Sequence, residues 1–420
     1  MRTLLWIAPV LLLTTGCTAD ITVFGGQNAG GDTPQPGGAP GTGGMIGVGG
    51  DGPIGGDGPA PTVTATVSST STGMECPSGP NDDTDGDGFS ANEGDCNDCE
   101  ADLSPNNLEV PGNLFDEDCD GELDNELEPC DENLIIDDED PILAANAIEL
   151  CRMSSDADHW GLVSAVWVLA DGALPPSSAA TLASFHLGHG LLEDFGTVVE
   201  PRAGARLLGL SSDHARDEND PDFAATTGGG KGYSSGFPGG LPLPSVGCPG
   251  IVSGSPQDPI ALQVSVRVPD NAVGFSFDSN FYVRDWPQFV CSTFDDAFFA
   301  FVSPTPAGLL DGHVTFYGNG NPISLNGAPF DVCACKAPPC MAGGQTYACT
   351  QGNAALAGTG FTTNAATGWQ TTTVSTVPGS EITLRLGVYD AGDGAFTATA
   401  LVDAFTWSTT GVTVQTVATP

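Results

Sequence analysis

Ala261-Leu-Gln-Val-Ser-Val-Arg-Val268 alternates apolar and polar residues with period two. Successive side chains of an extended chain point to opposite faces, so this pattern predicts a strand with one face in a core. Val273, Phe275 and Phe277 carry the same period. Ala297-Phe-Phe-Ala-Phe-Val302 is apolar almost throughout, as a buried strand would be. Further strands are predicted over 314–317, 369–377, 382–389 and 398–407, with turn residues dense between them. Many short strands, Gly/Pro turns and little helix define a mostly β chain. The predicted fold is a jelly-roll-like two-sheet β-sandwich over about 140–415, with irregular loops near 212–258 and 333–360. Asp140-Pro141 opens a short helix ahead of it, with Asp140 suited to the N-cap and Pro141 to the first turn.

Upstream of the sandwich the composition changes. The chain has 420 residues, ten Lys+Arg against 53 Asp+Glu, and a formal net charge of −43. Between Thr3 and Cys151 there is no Lys or Arg, while Asp82 to Asp140 holds 24 acids. This balance excludes nucleic-acid binding through phosphate neutralisation and docking to an anionic membrane through a basic patch. An acidic run of this kind repels itself unless cations neutralise it.

Within the run a loop is written twice. Asp83-Thr-Asp-Gly-Asp-Gly88 is followed 33 residues later by Asp116-Glu-Asp-Cys-Asp-Gly121, and Asn92-Glu93 corresponds to Asn125-Glu126. Alternate carboxylates closed by glycine make an oxygen-ligand loop for a hard cation. An EF-hand would place Glu at position 12. Here Gly94 and Leu127 occupy that position, Glu93 and Glu126 fall one place short, and flanking helices are not predicted. The reading is therefore a compact, disulfide-pinned calcium loop pair. Its candidate ligands are Asp83, Asp85, Asp87, Glu93, Asp95 and Asp98, then Asp116, Asp118, Asp120, Asp124 and Glu126.

The N-terminus reads as an export signal over 1–16. Arg2 is the positive end and residues 4–13 are an apolar core too short to span a membrane. Leu13-Thr-Thr-Gly-Cys17 resembles a bacterial lipoprotein cleavage box, which implies lipidation of Cys17; Thr14 departs from the usual aliphatic residue. Cleavage after Ala19, leaving no anchor, is the alternative. Residues 17–74 form a Gly/Pro- and Ser/Thr-rich tether that buries too little apolar surface to fold. The acidic module follows over 75–130.

Thirteen cysteines suit an exported protein, and twelve remain without Cys17, enough for six disulfides. Cys76, Cys96, Cys99 and Cys119 lie in the acidic module, and Cys130 and Cys151 bracket the junction. Cys248 and Cys291 fall in the sandwich. Cys333, Cys335, Cys340 and Cys349 cluster in one loop, where staples are expected rather than zinc ligands. Connectivity is not readable from the sequence.

Two stretches resemble known families. Asp85-Gly-Asp-Gly-Phe89, Gly94-Asp-Cys-Asn-Asp98, Glu109-Val-Pro-Gly112, Asp116-Glu-Asp-Cys-Asp-Gly121 and Asp124 resemble the MopE-type metal-binding motif of bacterial surface proteins. The resemblance implies a copper site. Copper, however, favours imidazole, thioether or thiolate, and residues 75–149 hold no His and no Met, so the residues point to calcium rather than copper. Phe275-Ser-Phe-Asp-Ser-Asn-Phe-Tyr282, Trp286-Pro-Gln-Phe-Val290, Ser292-Thr-Phe-Asp-Asp296, Asp390-Ala-Gly-Asp-Gly394 and Leu401-Val-Asp-Ala-Phe405 resemble the choice-of-anchor L domain of exported bacterial proteins, over about 260–408. That resemblance implies a surface β-sandwich with a variable mode of anchoring. Asp390, Asp393 and Asp403 are candidates for a second calcium site between strands, against the plain reading of acidic turn residues. Thr397-Ala398 stands where the family often has Asp-Ser.

Catalytic signals are weak. Gly232-Tyr-Ser-Ser-Gly236 has the spacing of a nucleophile elbow without the strand and helix that motif needs. Gly228-Gly-Gly-Lys-Gly232 lacks the Ser/Thr and helix of a phosphate loop. His186 and His189 form an HxxH pair without a neighbouring Glu. The sequence predicts a non-enzymatic, calcium-binding, adhesive or structural protein of the outer membrane or cell surface. It would meet the membrane through its lipid and a glycan, matrix or protein ligand through the sandwich. A secreted form, or a hydrolase of carbohydrate or peptide, is the alternative.

Overall fold

The computed structural model describes residues 79–125, 127–154, 159–226, 230–318 and 320–419, which belong to one compact unit, Gly73–Pro420. The predicted signal, Cys17, the tether, Cys76 and Glu126 lie outside the described residues. Strands run in chain order as β1 (Gly161–Val168), β2 (His189–Leu192), β3 (Leu207–Ser211), β4 (Pro256–Arg267), β5 (Gly274–Val283) and β6 (Ala297–Ser303). Three short strands follow, β7 (Val332–Cys333), β8 (Cys340–Ala342) and β9 (Gln345–Tyr347). The last five are β10 (Ala365–Ala366), β11 (Gln370–Ser375), β12 (Glu381–Ala391), β13 (Ala398–Ser408) and β14 (Gln415–Ala418).

A four-stranded sheet has the order β1-β4-β12-β6, and an eight-stranded sheet has β14-β11-β5-β13-β3-β2, with β10 joining β5 to β7. The ladders are antiparallel. From β4 to β6, and again from β11 to β13, successive strands alternate between sheets, as jelly-roll strands do. The period-two face of β4 (Leu262, Val264, Val266) and that of β12 (Leu384, Leu386, Val388) meet Phe275, Phe277 and Phe281 of β5 in the main core. Each such side chain, fully buried, contributes about 1.5–3 kcal/mol. The outer face of the eight-stranded sheet is covered too: Tyr282, Leu401, Leu192 and Leu207 pack under Phe195 and Phe361.

Helix α1 (Pro141–Asn146) starts as predicted, with Asp140 accepting the Ile142 N–H at 2.9 Å and Pro141 in the first turn. A second helix, α2 (Ala179–His186), is capped by Ser178, whose hydroxyl accepts the Thr181 N–H. The strand expected over 314–317 is absent from the ladders; that segment touches its neighbours through isolated bridges only.

The acidic module contributes no strand among its described residues, and its one regular element is a 3-10 turn, Ala91–Glu93. It docks through 104–108. Asn271 accepts the Leu108 N–H at 2.9 Å and donates to the Leu108 carbonyl at 2.8 Å. Asn106 donates to Asp270 at 2.6 Å and accepts the Trp160 N–H at 2.5 Å. Disulfides join Cys96 to Cys119, Cys130 to Cys151, Cys248 to Cys291, Cys333 to Cys349 and Cys335 to Cys340. Cys99 is disulfide-bonded as well.

Candidate metal centre

The two written copies of the loop fold alike. Asp83 accepts the N–H of Gly88 at 3.2 Å, and Asp116 that of Gly121 at 3.1 Å. Asp85 Oδ1 takes the Asp87 N–H at 3.2 Å, as Asp118 Oδ1 takes that of Asp120 at 3.2 Å. Asp87 Oδ1 takes the Phe89 N–H at 2.8 Å, as Asp120 Oδ1 takes that of Glu122 at 2.8 Å. The fourth position is left-handed in both, with Gly86 at φ 85° and Cys119 at φ 56°. The sixth is left-handed too, with Gly88 at 101° and Gly121 at 95°. An added Cβ at Gly88 or Gly121 would meet nothing within 4 Å, so backbone conformation, not packing, calls for glycine there.

Asp83 and Asp98 use both carboxylate oxygens within the turn, but other carboxylates keep one oxygen over. Asp85 Oδ2, Asp87 Oδ2, Asp95 Oδ2 and Asp116 Oδ1 are buried oxygens without a hydrogen-bond partner. They belong to clusters whose ligand oxygens lie within 4.8 Å of one another: Asp83, Asp85 and Asp87; Asp85, Asp95 and Asp98; and Glu109, Asp116 and Asp118. Asp85 is shared by the first two, so loop one gathers five carboxylates. Asp95 and Asp98 are 6 % and 7 % exposed. Burial, followed by neighbouring carboxylates, pushes Asp87 and Asp118 up to about 6 despite the backbone N–H groups that oppose the shift. A buried carboxylate without a partner is costly, and an oxygen-ligated divalent cation supplies the missing partner. The donor set is all oxygen, the kind a hard cation prefers.

Several predicted ligands have other work. Glu93 Oε2 accepts from Ser90 N at 3.1 Å and Ser90 Oγ at 2.6 Å, a capping box for the 3-10 turn. Asp124 Oδ1 accepts the N–H groups of Gly112 and Asn113 at 2.7 and 3.1 Å. Asp120 Oδ2 accepts from the Asn125 amide at 2.8 Å. Glu109, which the loop pattern did not single out as a ligand, joins Asp116 and Asp118. Its carboxylate is held by the N–H groups of Glu117, Asp118 and Asp124 at 2.8, 3.2 and 2.6 Å.

The trio Asp390, Asp393 and Asp403 is not assembled as one site. Asp390 ends β12 and is influenced by Asp285, Asp393 and Asp258. Asp403 lies opposite Asp278 in β13, before a bulge, and accepts the Arg202 N–H at 2.5 Å. Asp403 has Glu149 rather than Asp390 or Asp393 as its carboxyl neighbour, so it drops out. Cys333, Cys340 and Cys349 cluster closely, but their sulfurs are committed to disulfides and are not free to ligate zinc.

The apparent catalytic motifs gain no machinery. Ser234 is exposed and bridges to Gln257 in a loop. His186 and His189 meet through ring nitrogens at 2.9 Å, with His189 wholly buried and stacked on Trp167. Burial pushes His189 down to about 3, so it is neutral near pH 7. A cavity of about 970 Å³ lies between the second loop and the sandwich, walled by Asp118, Glu149, Arg152, Trp160, Phe405 and Trp407. No helix among the described residues is long and apolar enough to cross a membrane. No protein-family model, no curated protein and no solved structure matches this chain.

Proposed function

We propose that this chain is an exported, non-enzymatic calcium-binding protein of the cell surface with an adhesive or structural role. The doubled loop carries the reading: two copies share three turn hydrogen bonds, with oxygens of Asp85, Asp87 and Asp95 in the first and one of Asp116 in the second buried without partners. Calcium at these oxygens would neutralise the module and hold it against the sandwich. The outer-membrane lipid anchor at Cys17, the MopE-type motif and the choice-of-anchor L domain belong to the same proposal and rest on sequence resemblance. The cavity beside Asp118 is where a surface glycan, matrix or protein ligand would sit, with Trp407 as a stacking wall and Arg152, which lies over the Trp160 ring, as a polar contact.

One observation favours a second reading, a hydrolase of carbohydrate or peptide. At the cavity wall the Glu149 carboxyl lies buried against that of Asp403, and burial followed by the Asp403 charge holds it well above the usual carboxylate range. An acid kept protonated beside another carboxyl is a pattern found in glycosidases.

Calorimetric titration of the full chain with calcium tests the first reading. Binding at about 10⁻⁴–10⁻³ M is expected, as in extracellular modules. A folded chain that takes up no calcium at several millimolar would overturn it. Glycan turnover abolished by Glu149→Gln would instead establish the hydrolase.

A further inference from the structure

Three aspartates away from the acidic module are buried almost completely: Asp285, Asp296 and Asp390 are 4 %, 1 % and 3 % exposed. Strand register brings two of them together. The β6–β12 ladder pairs Phe298 with Val388 and Ala297 with Tyr389. One step further sets Asp296 opposite Asp390. Directly opposed residues carry Cβ atoms about 4.5–5.5 Å apart, and like charges there repel. Alternation along the strands places both on the side of Phe298 and Val388, which face the main core. Asp285 arrives from the other sheet, just past the end of β5 at Val283, and its carboxyl adjoins that of Asp296.

The oxygens divide as they do in the loops. Asp296 Oδ1 accepts the Ala391 N–H at 2.8 Å, and Asp390 Oδ1 accepts the Gly394 N–H at 3.0 Å. Asp296 Oδ2 and Asp285 Oδ2 are buried and receive no amide, hydroxyl or cationic donor; the two carboxyls abut each other instead. None of the three forms an ion pair with a described residue. Arg284 acts on Asp285, but its guanidinium sits over the Phe396 ring at 5.6 Å. Carboxyls from both sheets thus come together at the rim of the sandwich, Asp285 against Asp296, with Asp390 at the neighbouring strand position.

We infer that Asp285, Asp296 and Asp390 form a separate cation site in the sandwich, built for a hard divalent ion such as calcium. Six to eight oxygens around calcium are reached by adding backbone carbonyls and water. The ion would clamp β6 and β12 of one sheet to the end of β5 in the other. This site stands apart from the loops and does not depend on them.

The test is equilibrium dialysis of radioactive calcium against the full chain carrying Asp85→Asn and Asp118→Asn, which disables the loops. One calcium per chain is expected to remain. Adding Asp296→Asn should take this to none; asparagine keeps the Oδ1 that accepts the Ala391 N–H. Asp390→Asn, which likewise keeps the Gly394 bond, should do the same and decides the matter if the first variant misfolds. Near-ultraviolet circular dichroism verifies the fold. A folded loop-disabled chain that retains no calcium would overturn the inference, as would retention undiminished by Asp296→Asn or Asp390→Asn. Calcium lost from the loops while the third ion stays separates this site from the loop reading.

Discussion

Asp85 is the most exposing place to perturb the module. It belongs to both carboxylate clusters of loop one, so one substitution touches the whole site. Its Oδ1 caps the Asp87 N–H, and asparagine retains that acceptor. Its Oδ2 has no partner. Asp85→Asn therefore removes a ligand charge and leaves the turn standing; Asp118→Asn does the same in loop two, where Asp118 Oδ1 caps Asp120. At calcium tenfold above the dissociation constant, one site stabilises the folded chain by about 1.4 kcal/mol, and two loops by about 2.8 kcal/mol. Unfolding entropy of roughly 2.1 cal/mol/K per residue over the unit Gly73–Pro420 comes to about 0.7 kcal/mol/K. The two loops should thus contribute about 4 °C to the melting temperature, and each single variant should lose about 2 °C of it. Scanning calorimetry in about 5 mM calcium and in chelator gives the comparison, the calcium level following from millimolar-range extracellular sites. In chelator both variants should melt at or above the parent, because a repelling charge is gone and the cap is kept. A variant whose calcium shift equals the parent's, or which already melts well below it in chelator, would refute the division of oxygens into caps and ligands.

Replacing Cys96 and Cys119 by Ser together should lower stability by about 3 kcal/mol in urea unfolding, from the chain entropy of a 23-residue separation, and should weaken calcium binding because the disulfide joins the two loops. His313 gives a pH prediction. Burial pushes it from 6.5 down to about 4, against a smaller opposite effect of Asp311. The unfolded chain therefore takes the proton first, and this contribution to stability is complete above pH 6.5 and lost as pH falls toward 4. The loss reaches about 2 kcal/mol by pH 5. Urea unfolding of parent and His313→Gln at pH 7 and pH 5 should show that much less acid destabilisation in the variant. Buried aspartates with raised values act in the opposite sense in both chains and cancel in the comparison. An identical pH dependence would refute it.

What could be read from the sequence depended on how each element is covered. β4, β5, β12 and β13 announce themselves because one face lies in the main core and period two survives. β2 and β3 are buried on both faces, so His189-Gly-Leu-Leu and Leu207-Leu-Gly-Leu-Ser carry no alternation. β1 is an edge strand with a register shift between Leu162 and Ser164, which breaks the pattern. Residues 314–317 have strand-like composition but no ladder neighbour beyond isolated bridges. In the module, the repeat revealed two acidic loops that fold alike, while the hydrogen bonds of Glu93 and Asp124 are invisible until neighbouring amides are located. Glu109 precedes its loop, and only the fold brings it to Asp116. Asp285 and Asp296 needed cross-strand register and sheet packing, which no local spacing encodes.

The module's position explains how an ion in a loop would matter to the sandwich. Glu109 is a ligand candidate and also the acceptor for the amides of Glu117, Asp118 and Asp124. Glu117 in turn receives the Ser104 N–H at its carbonyl at 2.9 Å and the Val110 N–H at its carboxylate at 3.1 Å. Residues 104–110 are therefore pinned from the loop side. From the other side, Asp270, Asn271 and Trp160 bond to Asn106, Asn107 and Leu108. Whatever orders Glu109 orders the segment that docks. Without a cation, repulsion among Glu109, Asp116 and Asp118 works against that order; with one, their attraction to the ion adds to it. The docking contacts themselves are largely amide and backbone groups, which salt and pH disturb little. Any effect of a loop-bound cation on docking would thus arise in the loops and reach the sandwich through one short, doubly held segment.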